Sequence, residues 1–232
     1  MNEIQHIAII MDGNRRWARQ RMLPTMFGHQ KGADKLREIS RLVWDRGIKY
    51  LTVYAFSTEN WKRSESEVKY IMDLARKFLK NSIEEACENN MRVRVIGNRS
   101  GLAEDICRQV EELEKATKDF TGLNLTIALN YGGKDEIVRA TRAIAEAVRK
   151  GQMDITQIDE QVFESYLDTK EMPEPELLIR TGGETRISNY LLWQIAYSEI
   201  YITDGFWPDF NESELEKAID YYRARNRRFG GE

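Results

Sequence analysis

The stretch HIAIIMDGNRRW, residues 6–17, decides the fold class of this 232-residue chain. It begins with an isoleucine-rich apolar run over residues 6–10, and the polar turn Asp12-Gly13-Asn14 follows that run closely. An apolar run without alternation predicts a strand that is buried on both faces, as in a parallel sheet. An Asp-Gly turn predicts that the strand ends there, so residues 6–10 are expected to be a central strand.

Outward from this stretch, strand patterns and helical patterns alternate about six times. Further strands are predicted at 50–56, 92–96, 123–129, 177–179 and 200–203, and helices at 28–46, 66–89, 102–118, 134–150, 158–166, 188–196 and 213–228. Ser213, which precedes Glu216 by three positions, predicts a capping box at the start of the last helix. The alternation predicts one α/β domain over residues 1–232, in which helices flank a central, mostly parallel sheet.

Composition restricts the functional class and the compartment. The 35 Lys and Arg residues and 38 Asp and Glu residues give a net charge of −3, which disfavours general nucleic-acid binding. No apolar stretch approaches the roughly 20 residues of a membrane span, and the first residues lack the pattern of a secretory signal. The only cysteines, Cys87 and Cys107, have neither disulfide-framework nor metal-ligand spacing, so we expect a cytoplasmic protein.

Polar motifs follow several of the predicted strands, where sites in parallel sheets usually lie. In the first motif, the Asp12 carboxylate could hold a divalent cation, while Arg15 and Arg16 could bind oxyanions. The residues alone are equally compatible with a simple strand-to-helix turn that has a solvated arginine face. His29, in the motif GHQKG, could donate to a phosphate, but a purely structural histidine fits the pattern as well.

Two further loops carry mixed polar chemistry. Residues 57–63, STENWKR, could form a catalytic loop or only a capping loop with Trp61 packed on the core. Residues 180–188, RTGGETRIS, combine two arginines with paired glycines, a pattern that suits a second phosphate group or a glycine turn without a ligand. Glu199, just before a predicted strand, could face inward or form a surface ion pair. The sequence has no Walker-type GxxxxGK[ST] motif.

Taken in order, these segments resemble the cis-prenyltransferase family. The resemblance covers residues 6–231 and is carried by HIAIIMDGNRRWA, GHQKG, YAFSTENWKR, NYGG at 130–133, RTGGETRISN and WPDF at 207–210. It implies a homodimeric enzyme that uses Mg²⁺ and extends farnesyl diphosphate with isopentenyl diphosphate. The implied product is a long cis-polyprenyl diphosphate of the undecaprenyl type, a carrier lipid for cell-wall synthesis. A lipid product also implies peripheral contact with a membrane.

The resemblance further implies a role for each matching residue. Asp12 is expected to be the essential carboxylate and a Mg²⁺ ligand, with Gly13, Asn14, Arg15, Arg16, Trp17 and His29 holding the allylic diphosphate. Ser57, Thr58, Glu59, Asn60, Trp61 and Arg63 match a mobile loop in which Asn60 takes part in proton removal. Arg180, Arg186, Ile187 and Ser188 match the isopentenyl diphosphate site. Glu199 matches a metal-site carboxylate near the dimer interface, and Arg228 and Gly230 match a tail that reaches the partner's site.

A growing lipid requires an apolar tunnel between the sheet and the helices. Candidate lining residues are Ala55, Leu74, Phe78, Ile83, Leu123 and Ile127, each of which could equally be ordinary core. Small residues such as Ala55 favour a long product.

The chain departs from the family pattern at two positions. Thr25 stands where an arginine usually helps to bind the allylic diphosphate, and Arg15 stands where bacterial members often have glycine. We hypothesise that Arg15 or Arg21 supplies the missing charge. Three alternatives stay open. The first is an enzyme with a shorter product and a different starter. The second is a non-catalytic subunit, which the retained Asp12 and Asn60 argue against, and the third is a nucleic-acid-binding module, which only the arginines of residues 223–228 support.

Overall fold

Strand β1 (His6–Ile10) lies in the interior of the sheet, and all five of its residues are buried. Its alternate side chains enter different cores: Ile7 and Ile9 belong to one apolar cluster, and Ala8 and Ile10 to another. Both faces of the strand are therefore covered, as the unbroken apolar run predicts.

The computed structural model describes residues 4–225. After β1 the elements are α1 (Asn14–Gln20), α2 (Thr25–Asp45), β2 (Tyr50–Ser57), α3 (Glu65–Glu88), β3 (Arg92–Ile96), α4 (Glu104–Thr117), β4 (Asn124–Tyr131), α5 (Gly133–Arg149), α6 (Glu160–Ser165), β5 (Leu177–Arg180), β6 (Glu199–Ile202) and α7 (Glu212–Arg223). Helices α2, α3, α4 and α7 contribute to the larger apolar core.

The six strands form one sheet in the order β3-β4-β2-β1-β5-β6, and all five pairings are parallel. From β1 the chain first builds the sheet on one side and later adds β5 and β6 on the other. Parallel sheets bind ligands beyond the carboxyl ends of the strands at such a reversal of order. The ends of β1 and β5, where Ile10 pairs with Arg180, are therefore the expected location of a site.

Two sequence predictions of local structure are wrong. Residues 188–196 form a series of turns rather than a helix, because Ser188, Asn189 and Leu191 adopt positive φ angles of 50°, 62° and 43°. The last helix begins at Glu212, and its cap is Asn211, whose side chain accepts a hydrogen bond from the Glu214 N–H. Ser213 is therefore inside the helix and does not cap it.

Helix α1 ends in a tight turn that leads into α2. The Leu23 N–H donates to the Ala18 carbonyl (2.9 Å), and the Met22 N–H donates to the Arg19 carbonyl (3.1 Å). These are the two hydrogen bonds of a Schellman motif, which usually places glycine at the position that Met22 occupies. Met22 accordingly has a left-handed φ of 54°.

Helix α2 packs closely on α1 through glycine. A Cβ on Gly28 would lie 2.0 Å from the Asn14 carbonyl oxygen, so a larger residue would push the two helices apart. Because α2 begins at Thr25, His29 lies in its second turn rather than at its first residue. This packing fixes His29 next to the loop that follows β1.

Candidate active site

The carboxyl ends of the adjacent strands β2, β1 and β5 bring three polar loops together. Asp12 follows β1, residues 58–63 follow β2, and Arg180 is the last residue of β5. The motifs that the sequence placed at strand ends therefore meet at one edge of the sheet.

Asp12 is the centre of this arrangement. Its Oδ2 accepts a hydrogen bond from Arg180 Nη2 (2.8 Å), and its Oδ1 accepts one from the Gly13 N–H (2.6 Å) and lies 3.3 Å from Arg16 Nη2. Partial burial favours a higher pKa for Asp12, but the Arg180 hydrogen bond and the charges of Arg16 and Arg180 outweigh it. The pKa of Asp12 therefore lies below its ordinary value, and the carboxylate is ionised at neutral pH.

Arg180 is buried and connects β5 to the following loop. Its Nη1 donates to the Arg186 carbonyl and to Ser188 Oγ (2.9 Å), which holds the turn of residues 182–188 against the strand end. Its Nε is buried and has no hydrogen-bond partner within residues 4–225. Gly182, at φ +86°, allows the loop to approach this centre, because a Cβ there would lie 2.5 Å from Arg16 Nη2.

A polar pocket of about 800 Å³, including its open mouth, surrounds Asp12. Its lining is predominantly basic and consists of Met11, Asp12, Gly13, Asn14, Arg15, Arg16, Arg19, His29, Arg63, Glu184 and Arg186. Glu184 lies 3.6 Å from Arg16 and 2.5 Å from Arg186. A pocket with this many guanidinium groups fits an anion with several charges.

Behind the pocket, one carboxylate holds three basic side chains. Glu67 on α3 accepts hydrogen bonds from Arg63 Nη1 (2.9 Å) and His29 Nε2 (3.2 Å), and it lies 3.7 Å from Arg15 Nη1. Burial favours a higher pKa for Glu67, but these basic neighbours outweigh burial. The pKa of Glu67 is therefore lowered, and the carboxylate is ionised. Burial also lowers the pKa of His29, which is therefore neutral and donates through Nε2.

An apolar cavity of about 740 Å³, including its opening, adjoins the polar pocket. Met11, Asn14 and His29 line both, so the two spaces meet at these residues. The cavity continues between the sheet and helices α2 and α3, and its lining includes Gly32, Ala33, Leu36, Ala55, Ile71, Leu74, Ala75, Phe78, Leu79, Val95, Ile127, Leu129 and Trp207.

Four of the six predicted tunnel residues line this cavity: Ala55, Leu74, Phe78 and Ile127. The other two predictions are wrong for this cavity. Ile83 packs against the core, and Leu123 is a buried core residue that lines a separate depression near the carboxyl end of α2.

The loop after β2 is held by hydrogen bonds of its own. Asn60 Oδ1 accepts from the Ser57 N–H (3.0 Å), and the Trp61 indole N–H donates to Asn130 Oδ1 (2.8 Å). Glu59 Oε1 accepts from Asn189 Nδ2 (2.8 Å), which ties this loop to the loop after β5. Thr58 donates to Glu59 at 3.2 Å. The loop therefore borders the site, while Arg63 alone of its members lines the polar pocket.

Several predicted site residues lie elsewhere. The Trp17 indole N–H donates to Asp209 (2.7 Å), its ring stacks under Arg21, and it does not line the pocket. Ile187 packs against the second apolar cluster. Arg228 and Gly230 fall outside the described residues.

Glu199 is also separate from Asp12 within one chain. It pairs with Leu177 at the amino end of β5 and β6, three residues before Arg180, or about 10 Å along the strand. Its carboxylate lies 3.2 Å from Arg225. Within residues 4–225 no cluster of three or more His, Cys, Asp or Glu side chains could hold a metal ion alone. A cation at Asp12 would therefore need further oxygen ligands from water or a bound substrate.

Three pocket residues, Met11, Arg19 and Glu184, were not among the predicted site residues. Arg19 lines the polar pocket from α1, and its side chain has no ion pair with any residue of 4–225. Its spacing from Arg15 and Arg16, at i+4 and i+3 on the same helix, was the available signal. Thr25 does not line the pocket, and Arg21 pairs with Asp209 instead of facing it.

Comparison with known proteins agrees with this geometry. The family model Prenyltransf, for undecaprenyl diphosphate synthase, matches residues 10–230. The ditrans,polycis-undecaprenyl-diphosphate synthase ((2E,6E)-farnesyl-diphosphate specific) of Micrococcus luteus is 49% identical over 98% of this chain and 91% of its own length. An isoprenyl transferase of Agrobacterium fabrum is 50% identical over 97% of this chain and 92% of its own.

Two solved structures share the fold. Lavandulyl diphosphate synthase from Lavandula x intermedia, in complex with dimethylallyl diphosphate, has a TM-score of 0.94 at 37% identity and covers 98% of both chains. A probable undecaprenyl diphosphate synthase from Campylobacter jejuni has a TM-score of 0.82 at 32% identity, over 99% of this chain and 100% of its own.

Proposed function

This chain belongs to the undecaprenyl diphosphate synthase family and is a prenyl transferase, and we infer that it extends farnesyl diphosphate with isopentenyl diphosphate into a long cis-polyprenyl diphosphate. The observation that carries this inference is the junction of the two cavities at Met11, Asn14 and His29. A prenyl diphosphate has an anionic head and an apolar tail, and the two cavities match these two parts.

The anionic head belongs in the polar pocket, next to Asp12, Arg16 and Arg19. The tail belongs in the apolar cavity between β2, α2 and α3. The loop after β5 offers a second anion site at Arg180, Arg186 and Ser188, where Arg180 Nε is a buried donor without a hydrogen-bond partner among residues 4–225. This second site suits the diphosphate of isopentenyl diphosphate.

The residues of the pocket fit a Mg²⁺ ion that arrives with substrate. Mg²⁺ is typically held by one or two carboxylates together with substrate phosphates and water, and Asp12 supplies one carboxylate at the pocket. When bound, the ion neutralises charge on the diphosphate. Arg16 and Arg180, which now satisfy Asp12, would turn part of their hydrogen-bonding capacity to phosphate oxygens.

The protein's own groups act on charge and position. As the carbon–oxygen bond of the allylic diphosphate breaks, negative charge grows on the leaving group, where the guanidinium groups stabilise it. The double bond of isopentenyl diphosphate then attacks the allylic carbon, and a proton leaves its C2. The Asn60 carboxamide is not basic, so its role is to orient a proton acceptor rather than to keep the proton.

A homodimer is part of this proposal. Strand β6 is an edge of the sheet, and Ile200 on this strand and the nearby Tyr197 are 40% and 67% exposed. Unpaired edges with apolar side chains support association. Glu199, at the start of β6, is placed to contribute across such an interface. A cytoplasmic location is likewise proposed, supported by free cysteines. No helix within residues 4–225 has the length and apolarity to cross a membrane.

The test is an assay of purified protein with Mg²⁺, farnesyl diphosphate and labelled isopentenyl diphosphate, followed by sizing of the lipid product. Asp12→Asn keeps the size of the side chain and removes its charge, so we expect a loss of at least a hundredfold in kcat. A product of undecaprenyl length with the natural protein supports the proposal. No elongation, or equal activity in the variant, would contradict it.

A shorter starter remains a second candidate. The relative from Lavandula was solved with dimethylallyl diphosphate in a fold that superimposes at a TM-score of 0.94. The same assay with dimethylallyl diphosphate in place of farnesyl diphosphate, compared by kcat/KM, separates the two starters.

A further inference from the structure

The turn between α1 and α2 exposes four large apolar side chains. Met22, Leu23, Met26 and Phe27 are 94%, 38%, 48% and 52% exposed, and Pro24 between them is also exposed. Nowhere else in residues 4–225 do four exposed large apolar residues lie within six positions. We call residues 22–27 the apolar patch. A contiguous exposed apolar surface of this kind marks an interaction site.

Backbone strain also singles out this patch. Met22 occupies the left-handed position of the Schellman motif, where glycine has no steric cost and an L-residue does. The most exposed apolar side chain of the patch therefore sits where the local backbone favours no side chain at all. Neither packing nor local geometry accounts for a methionine at this position.

The segment of sequence that carries the patch is basic. Residues 13–33 contain Arg15, Arg16, Arg19, Arg21 and Lys31 and no Asp or Glu, in a chain whose net charge is −3. Lys31 is exposed one helical turn beyond Phe27 on α2. Arg21 is partly neutralised by Asp209. Exposed apolar residues rimmed by basic ones are typical of surfaces that lie on anionic bilayers.

The patch lies beside the proposed site in the chain and in space. The segment that carries it runs from Arg19, which lines the polar pocket, to His29, which lines both cavities. We propose that the apolar patch docks the protein on a bilayer that contains anionic phospholipid, with Met22, Met26 and Phe27 at the acyl boundary and Lys31 facing the phosphates. The mouth of the polar pocket then faces the membrane surface.

The experiment is co-sedimentation of the full-length protein with vesicles, without substrate, so its outcome does not depend on the proposed reaction. The probes are vesicles of phosphatidylcholine with phosphatidylglycerol and vesicles of phosphatidylcholine alone. The protein should bind the anionic vesicles, and binding should weaken as salt is raised. Lys31→Glu should weaken it about tenfold, and the double variant Met22→Gly with Met26→Ser by about tenfold or more.

Matched control variants change exposed residues outside the apolar patch. Ile155→Ser removes an apolar side chain that is 69% exposed outside the patch, and Lys118→Glu reverses an exposed charge on the residue after α4. Both should bind vesicles like the natural protein. Thermal unfolding of each variant verifies that the fold is intact, and Met22→Gly should unfold at the same or a higher temperature.

Three results would overturn the proposal. The first is no binding of the natural protein to anionic vesicles. The second is equal weakening by the patch variants and their controls. The third is a change of oligomeric state in Met22→Gly with Met26→Ser, measured by sedimentation, because the patch would then be covered by a second copy of the chain.

Discussion

Replacing His6 should change the pH dependence of folding in a way that can be calculated. His6 lies in β1 and is 1% exposed. Its Nδ1 is 2.7 Å from the Pro173 carbonyl oxygen, and its Nε2 is 2.7 Å from Thr52 Oγ1. The carbonyl can only accept, so Nδ1 carries the proton and Nε2 accepts from the threonine hydroxyl. The buried ring is therefore neutral, and burial lowers the pKa of His6 from 6.5 to about 4.

The lowered pKa of His6 costs the folded state no stability while the ring is neutral in both states. It costs stability once the ring of the unfolded chain takes up a proton. Between pH 6.5 and about 4 the unfolded chain binds a proton at His6 that the folded chain refuses, so stability falls as the pH falls through this window. The full shift corresponds to about 3 kcal/mol of unfolding free energy, of which about 2 kcal/mol is lost between pH 7 and pH 5. These magnitudes apply to the histidine alone.

The assay is urea unfolding at pH 7, 6 and 5, followed by tryptophan fluorescence, for the natural protein and for His6→Gln. The glutamine amide can donate to Pro173 and accept from Thr52, but it does not titrate. Carboxylates that titrate in the same range are present in both proteins, so their effects cancel in the difference. The natural protein should lose about 2 kcal/mol more than the variant between pH 7 and pH 5. Equal losses would refute a neutral, buried His6.

Three further predictions concern the site. Arg19→Ala should raise KM for the allylic substrate about tenfold with little change in kcat, because the side chain contributes a charged contact to the diphosphate. The control is Arg21→Ala, because the Arg21 guanidinium pairs outside the pocket. Equal KM values for the two variants would contradict the assignment. Ala55→Leu should shorten the lipid product, since it fills the apolar cavity; unchanged product length on thin-layer chromatography would show that the tail runs elsewhere. The Glu67→Gln variant should bind inorganic diphosphate several-fold more tightly, as measured by calorimetry. The reason is that the substitution releases Arg15, Arg63 and His29 from a competing carboxylate. Weaker binding would mean that Glu67 positions these groups rather than competing for them.

The sequence predicted most of the fold because the two hydrophobic periods are clear in it. The predicted strands at 6–10 and 92–96 match β1 and β3 to the residue, and helices α2 to α5 agree within about three residues. The last helix was predicted to reach residue 228, but it ends at Arg223. The predicted helix at 188–196 is wrong because hydrophobic periodicity carries no information about backbone strain. Ser188 and Asn189 take left-handed conformations. Ser188 accepts a stabilising hydrogen bond from Arg180, and Asn189 donates one to Glu59. Glu59 is 130 positions from Asn189, and neither partner is part of the local helical pattern.

The site was predictable where a motif directly follows a strand. The rule that carboxyl ends of parallel strands converge predicts that Asp12 and Arg180 lie close together, while their roles came from the family resemblance. Trp17 lies outside the pocket because its indole turns toward Asp209, and Glu199 is separate from Asp12 within one chain because it begins its strand rather than ending it. Arg19 was missed because its role depends on which face of a short helix borders the pocket, and that face is set by the packing of α1 on α2.

The pairing of Asp12 with Arg180 joins residues 168 positions apart, through strands that are neighbours only in the finished sheet. During synthesis β1 is made long before its second neighbour, β5, because strands β2, β3 and β4 and helices α1 to α6 lie between them in the chain. Contacts of such separation form late and slow the folding of parallel sheets. A chain that stops before residue 180 therefore has β1 open on one side and no assembled centre, so prenyl transfer requires the sheet to be built through β5.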